Sequence, residues 1–237
     1  MKSFFSVVVS KYKEKQRTSR GFTIVELLVV IAIFAMMTGL ILANYSGFDS
    51  SIVLENTAYE VALEIRQAQS FGLGVRQAVS ASDVFPAYGV RIPTLSATPV
   101  REAFLFSDIP PTGFPTGNGR YDGGEFCIPG SGECVEKLIM QKYYVYALCG
   151  NVKKHLGAGT VFRTTADVAS SGASAYCDKE SLEILFTRPD PDAVFKGYIG
   201  GSLDAESPYD DAEIIIATPR GDVRTVVVWS TGQITVE

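Results

Sequence analysis

Residues 22–43, FTIVELLVVIAIFAMMTGLILA, form an apolar run that carries one charge, Glu26. About 20 predominantly apolar residues suffice for a helix to cross a bilayer, so this run is long enough. The charges on its two sides are unequal. Residues 1–21 hold Lys2, Lys11, Lys13, Lys15, Arg17 and Arg20 against Glu14, a net of +5, whereas the remainder carries 15 basic and 25 acidic residues, a net of −10. The positive-inside rule places residues 1–21 in the cytoplasm and the rest outside. The chain has 237 residues, of which 46% are hydrophobic, so the exported part has enough apolar material for one domain with its own core.

Two ordinary readings of the run leave something unexplained. A secretory signal has a shorter apolar core followed by a small-residue cleavage site, and Ala43-Asn44-Tyr45-Ser46 is a poor one. A plain anchor fits the length but gives no reason for Glu26. A carboxylate inside a membrane helix costs a few kcal/mol on the mildest insertion scale and marks a functional position.

The residues around Glu26 carry a resemblance. Arg20-Gly21-Phe22-Thr23-Ile24-Val25-Glu26-Leu27-Leu28-Val29-Val30 resembles the class III signal of type IV prepilins and type II secretion pseudopilins. The resemblance implies cleavage after Gly21 by prepilin peptidase, N-methylation of Phe22, and an assembly role for Glu26. It also implies other pilins or pseudopilins and an inner-membrane assembly platform as partners. The localisation it implies is the bacterial inner membrane, single-pass with the head outside, and then a filament.

The chemistry is coherent without the family. Cleavage at Gly21 removes the basic leader and exposes an ammonium on Phe22, with an intrinsic pKa of about 7.7–8.0. Glu26 lies four residues on, on the same helix face. In a filament core the carboxylate of one subunit can meet the ammonium of its neighbour, which relieves two costly buried charges. A slipped register leaves both unpaired, so the pair specifies axial stagger.

The helix is expected to continue through residues 44–80. Leu54, Ala58, Val61, Ile65, Ala68, Gly72 and Val75 recur at steps of four and three, with Glu55, Glu60, Glu64, Arg66 and Gln67 on the other faces. The resemblance implies that the first half of such a helix packs in a filament core and the second half on a globular head. Residues 81–237 read as that head. Strands are expected at Ala87–Ile92, Ala103–Phe106, Lys137–Leu148, Leu182–Thr187, Glu213–Thr218, Val223–Trp229 and Gln233–Val236, with turns at 219–222 and 230–232. Residues 110–124, dominated by Pro, Gly and Asn, read as a loop, and loops of that length are usually functional or disordered. No helical crossovers separate the strands. The fold class is therefore α+β, a long N-terminal helix packed on a mainly antiparallel head, as in the pilin fold. Within the family, Ala62–Ser70, Tyr88-Gly89-Val90 and Val228–Ile234 resemble the pseudopilin H and minor pilin T group (GspH/FimT), which implies a minor subunit.

Four cysteines, Cys127, Cys134, Cys149 and Cys177, lie in the exported part, where an even count suggests disulfides. Three pairings exist. The preferred one is Cys127–Cys134 with Cys149–Cys177, and the alternative to any pairing is free buried thiols. Asp108, Asn118, Asp122 and Glu125 are oxygen donors along one Gly-rich stretch and form the candidate calcium set, although their spacing is not that of an EF-hand. His155 is the lone histidine, in Lys153-Lys154-His155, and reads as solvated; without a C-x-x-C, zinc is not expected. No G-x-S-x-G and no phosphate loop occurs, so the chain reads as non-enzymatic. Its acidic mature part disfavours nucleic acid. Two function classes stand: a filament subunit, and a membrane-anchored extracytoplasmic ligand-binding domain that never polymerises. The Gly21 site with Glu26 favours the first.

Overall fold

The computed structural model describes residues 21–78, 80–81, 83–95, 99–112, 114, 116–151, 162–170 and 176–237. The expected leader up to residue 20 and His155 lie outside them. The chain divides into two compact units, 1–46 and 47–237. In the first, helix α1 (Ile24–Leu73) begins, and Ile24–Leu42 is long and apolar enough to cross a membrane. The second unit comprises the rest of α1 and the head. The amphipathic half of the helix is thus part of the head's own compact body.

The head contains β1 (Ala87–Ile92), β2 (Glu102–Asp108), β3 (Cys134–Ile139), β4 (Tyr144–Asn151), α2 (Thr165–Ser170), β5 (Ser181–Phe186), β6 (Ala193–Ile199), β7 (Ser202–Leu203), β8 (Asp211–Ala217), β9 (Val223–Trp229) and β10 (Ile234–Val236). They form two sheets, ordered β3-β2-β1-β5-β6-β7 and β10-β9-β8-β4. Every pairing is antiparallel. The fold is α+β, an N-terminal helix followed by an antiparallel head.

One face of α1 drives the packing. Leu54, Ala58, Val61, Ile65 and Ala68 are fully buried, together with Ala62. They share a core with Val90 and Ile92 of β1, Leu182 and Ile184 of β5, Ile214 and Ile216 of β8, and Val226 and Val228 of β9. The alternation along those strands is the period-2 rule at work, inner residues separated by outer ones. Gly72 has to be a glycine: a Cβ there would lie 2.5 Å from the Phe186 carbonyl oxygen, so the last turn of α1 touches the backbone of β5. The helix stops at Leu73, short of residue 80, and Val75 is exposed beyond it. Arg188 donates to the Gly74 carbonyl at 3.1 Å, a cation at the helix C-terminus.

Three further expectations change. Lys137–Leu148 is not one strand. It breaks at 140–143 into β3 of the first sheet and β4 of the second, because Met140 N–H donates to the Arg101 carbonyl (2.7 Å) while the buried Tyr143 turns its hydroxyl to the Ser50 carbonyl (3.0 Å). β6 was not anticipated; Lys196 and Gly197 interrupt its apolar pattern, yet its register with β5 is continuous from Ser181↔Tyr198 to Phe186↔Ala193. Glu64 does not sit on an outer face with Glu55 and Glu60. It is 7% exposed and one of its oxygens has no hydrogen-bond partner. Burial, with Glu136 of β3 nearby, pushes its carboxyl up to about 7.

Candidate functional site

The N-terminal motif is built on a helix start. Residues 21–23 are not helical, and α1 begins at Ile24. The Thr23 side-chain oxygen accepts the Glu26 N–H at 3.2 Å, and the Thr23 carbonyl accepts the Leu27 N–H at 3.1 Å. Thr23 is therefore the N-cap and Glu26 the third helical residue, the positions of a capping box. The capping role of Thr23 was missed from sequence, although Thr23-Ile24-Val25-Glu26 spells the S/T-x-x-E signature. The Gly21–Phe22 peptide stands just outside the capped helix, and both residues are exposed. A protease needs backbone that is free of helical hydrogen bonds, and this bond meets the requirement. Beyond it, every side chain from Ile24 to Leu42 is exposed within the chain, which leaves the whole cylinder for lipid or for other helices.

The loop between β2 and β3 holds the oxygen donors. It is tied down on the outer face of the first sheet rather than loose. Tyr121 packs on Phe104 and Phe106 (ring centroids 6.1 and 5.6 Å), beside the Cys127–Cys134 disulfide. Beneath the loop, Arg91 and Glu183 form a buried ion pair at 2.6 Å, and Glu183 also accepts the Tyr198 hydroxyl at 2.7 Å. Lys196 reaches up to the Gly119 carbonyl at 2.6 Å.

This arrangement brings three of the four calcium candidates near one another and sends the fourth away. Asp108 accepts the Gly119 N–H (2.8 Å), and Asn118 donates its amide to both oxygens of Asp122 (3.0 and 2.9 Å). Glu125 instead bonds Arg91 (3.2 Å) and Thr94 (3.0 and 2.8 Å). Its place beside the loop is taken by Glu133, which accepts the Ile109 N–H (3.0 Å) and the Asp122 N–H (2.6 Å). Burial pushes Glu133 up to about 7 despite those two hydrogen bonds, with Asp122 and Asp108 adding to the rise. The donors do not fit a calcium ion. Asn118 presents its N–H₂ rather than its oxygen, and both Glu133 oxygens are spent on backbone amides. Among the described residues the one set of three ligand atoms close enough for a metal is Cys149, Cys177 and Glu213, and there both sulfurs are in a disulfide.

Cys149 of β4 is bonded to Cys177, and Cys127 to Cys134 at the start of β3, with no free cysteine. The first of these bridges spans 28 residues and ties the segment before β5 to β4, where the Gly150 N–H also donates to the Tyr176 carbonyl (3.1 Å). Glu213 stands opposite Cys149 in the β4–β8 register; burial, then Asp211 and Glu237, push its carboxyl up to about 7.

Residues 16–42 match the family model described as the prokaryotic N-terminal methylation motif. No curated protein and no solved structure matches the chain. The chain thus carries a prepilin-type N-terminal segment followed by an apolar helix and an antiparallel head.

Proposed function

We propose that this protein is a structural subunit of a type II secretion pseudopilus or type IV pilus. Prepilin peptidase processes it after Gly21, and it assembles through α1. The observation that carries this reading is the position of the Gly21–Phe22 bond, unwound and exposed immediately before a Thr23-capped apolar helix that holds Glu26 in its first turn. Methylated Phe22 then presents its ammonium near the Glu26 of a neighbour, and the pair sets the stagger of subunits. In the membrane the protein is single-pass, with its head outside the cytoplasm. The role is structural, and catalysis has no part in it.

Within that class the protein is a minor, GspH/FimT-like subunit. The loop between β2 and β3, bonded onto the outer face of the first sheet by Tyr121, the disulfide and Lys196, makes the head bulky on that side. A shaft subunit repeats one heterologous contact many times and favours a compact head. A bulky one suits a filament end, where a face stays free to start assembly or to touch cargo.

Mass spectrometry of the mature N-terminus tests the processing. The expected product begins with N-methyl-Phe22. An intact leader in membranes that process other prepilins would overturn the reading and favour an anchored domain that never polymerises. Quantitative proteomics of sheared filaments tests abundance: trace stoichiometry is expected, and parity with the most abundant subunit would overturn the minor assignment.

A further inference from the structure

In the loop between β2 and β3, Asn118 is followed by Gly119. The side-chain carbon of an asparagine and the backbone nitrogen of the next residue can close a ring, and a glycine there has no side chain to hinder the approach. The folded head surrounds this pair with groups from distant parts of the chain. Asp108, 5% exposed at the end of β2, accepts the Gly119 N–H at 2.8 Å. A Cβ on Gly117 would collide with the Asp108 carboxylate, so the loop lies directly over it. Lys196 of β6 donates to the Asn118 carbonyl at 3.2 Å and to the Gly119 carbonyl at 2.6 Å. The Arg120 N–H donates to the Asn118 side-chain oxygen at 2.8 Å, and both Asp122 oxygens accept from the Asn118 side-chain nitrogen at 3.0 and 2.9 Å.

Each contact suits one step of ring closure. Asp108 is a base on the proton that the Gly119 nitrogen must lose. Burial pushes its carboxyl above the ordinary aspartate range, so it takes a proton more readily than a solvated one. The Lys196 ammonium on the Asn118 carbonyl stabilises the negative charge that this peptide group acquires as the proton leaves. The Arg120 N–H stands where charge develops on the side-chain oxygen when its carbon is attacked. The Asp122 carboxylate favours positive charge on the departing nitrogen. Asn118 is exposed, so ammonia can depart and water can enter.

We infer that Asn118 is a self-modification site, converted to aspartate or isoaspartate by the folded head itself, and that the conversion releases the loop from the first sheet. The Gly119 nitrogen bonds to the Asn118 side-chain carbon and gives its proton to Asp108. The side-chain carbon–nitrogen bond then breaks, and that nitrogen takes the proton back and leaves as ammonia. Water opens the resulting cyclic imide at either of its carbonyls. The sum is amide plus water to carboxylic acid plus ammonia, with no change of oxidation state, and Asp108 ends as it began. Each chain reacts once. The new carboxylate no longer donates to Asp122, and it joins Asp108, Asp122 and Glu133, whose charges already oppose one another. Repulsion then works against the bonds that tie the loop down.

Peptide mass spectrometry of the purified full chain, sampled over days in detergent at neutral pH, tests the inference. Peptides ending at Arg120 report the amide-to-acid mass gain at Asn118. Conversion is expected at least about tenfold faster in the folded chain than in the same chain reduced and unfolded in guanidinium chloride. Asp108→Asn keeps an oxygen for the Gly119 N–H but not the base, and should convert no faster than the unfolded chain. Lys196→Gln leaves Asp108 in place and should slow conversion several-fold; it decides the matter if Asp108→Asn loses the native disulfides. A folded chain that converts no faster than the unfolded one would overturn the proposal, and so would parental rates in both variants. Asn118→Asp should be cut by trypsin after Arg120 several-fold faster than fresh parent, because the loop opens more often. Equal cutting would sink the release of the loop.

Discussion

The Thr23 hydroxyl accepts the backbone N–H of Glu26 at 3.2 Å, so the residue that caps the helix also fixes the start of the turn that carries Glu26. Without the cap the helix start is no longer pinned at Ile24, and the turn can extend over Phe22 or fray. Loss of a Thr cap costs about 1 kcal/mol. Thr23→Val is expected to slow cleavage after Gly21 several-fold in a peptidase assay on membranes, whereas Thr23→Ser, which keeps the oxygen, restores it. Equal rates for Val and Ser would show that the cap plays no part in presenting the bond.

Glu26 is exposed on the first turn, with no ion-pair partner among the described residues. Glu26→Ala should therefore leave insertion, cleavage and head stability unchanged while filament incorporation drops, because a neighbour's ammonium loses its counter-charge. The readout is co-purification with the other subunits. Undiminished recovery would refute the pairing role.

The two disulfides close loops of different length, with sequence separations of 7 for Cys127–Cys134 and 28 for Cys149–Cys177. In the chain-entropy view the longer closure stabilises by about 3.6 kcal/mol and the shorter by about 2.5 kcal/mol. The double variant Cys149→Ser/Cys177→Ser should thus melt at lower temperature than Cys127→Ser/Cys134→Ser. Non-reducing digestion should recover both linked peptides, and four alkylatable thiols in fresh native protein would contradict the pairing.

Three carboxyls, those of buried Glu64 and Glu133 and of half-buried Glu213, are each raised to about 7. Below about pH 4.5 each is protonated in both folded and unfolded chains and contributes no pH dependence. Between about 4.5 and 7 the folded chain keeps a proton that the unfolded chain has released, so stability falls as pH rises and levels off above 7. Melting of the full chain in detergent is expected at least about 4 °C lower at pH 8 than at pH 5. Glu64→Gln, which removes one of the three titrations, should flatten the profile. A melting temperature that rose from pH 5 to pH 8 would contradict the burial of these groups.

Local pattern settled much of this protein. The apolar run, the N-terminal methylation motif and the capping signature are each written in consecutive residues, because a helix and its cap need only neighbours within four positions. The buried stripe from Leu54 to Ala68 was legible for the same reason, since its period is a property of the helix itself. The hairpin between β8 and β9 was legible too, as Pro219-Arg220-Gly221-Asp222 encodes its own turn. What only the tertiary structure decided depends on residues far apart in the chain. Lys137–Leu148 looks like one strand until Arg101 and Ser50 bind its middle and split it between two sheets. Glu125 and Glu133 are equivalent as acidic residues in a Gly-rich loop. Arg91, 34 residues before Glu125, draws that carboxylate away, while the disulfide at Cys134 holds Glu133 under the amides of Ile109 and Asp122. Glu64 looks solvated beside Glu55 and Glu60 until the head buries it, with Glu136 of β3 nearby, because the width of a buried helix face is set by what lies across from it.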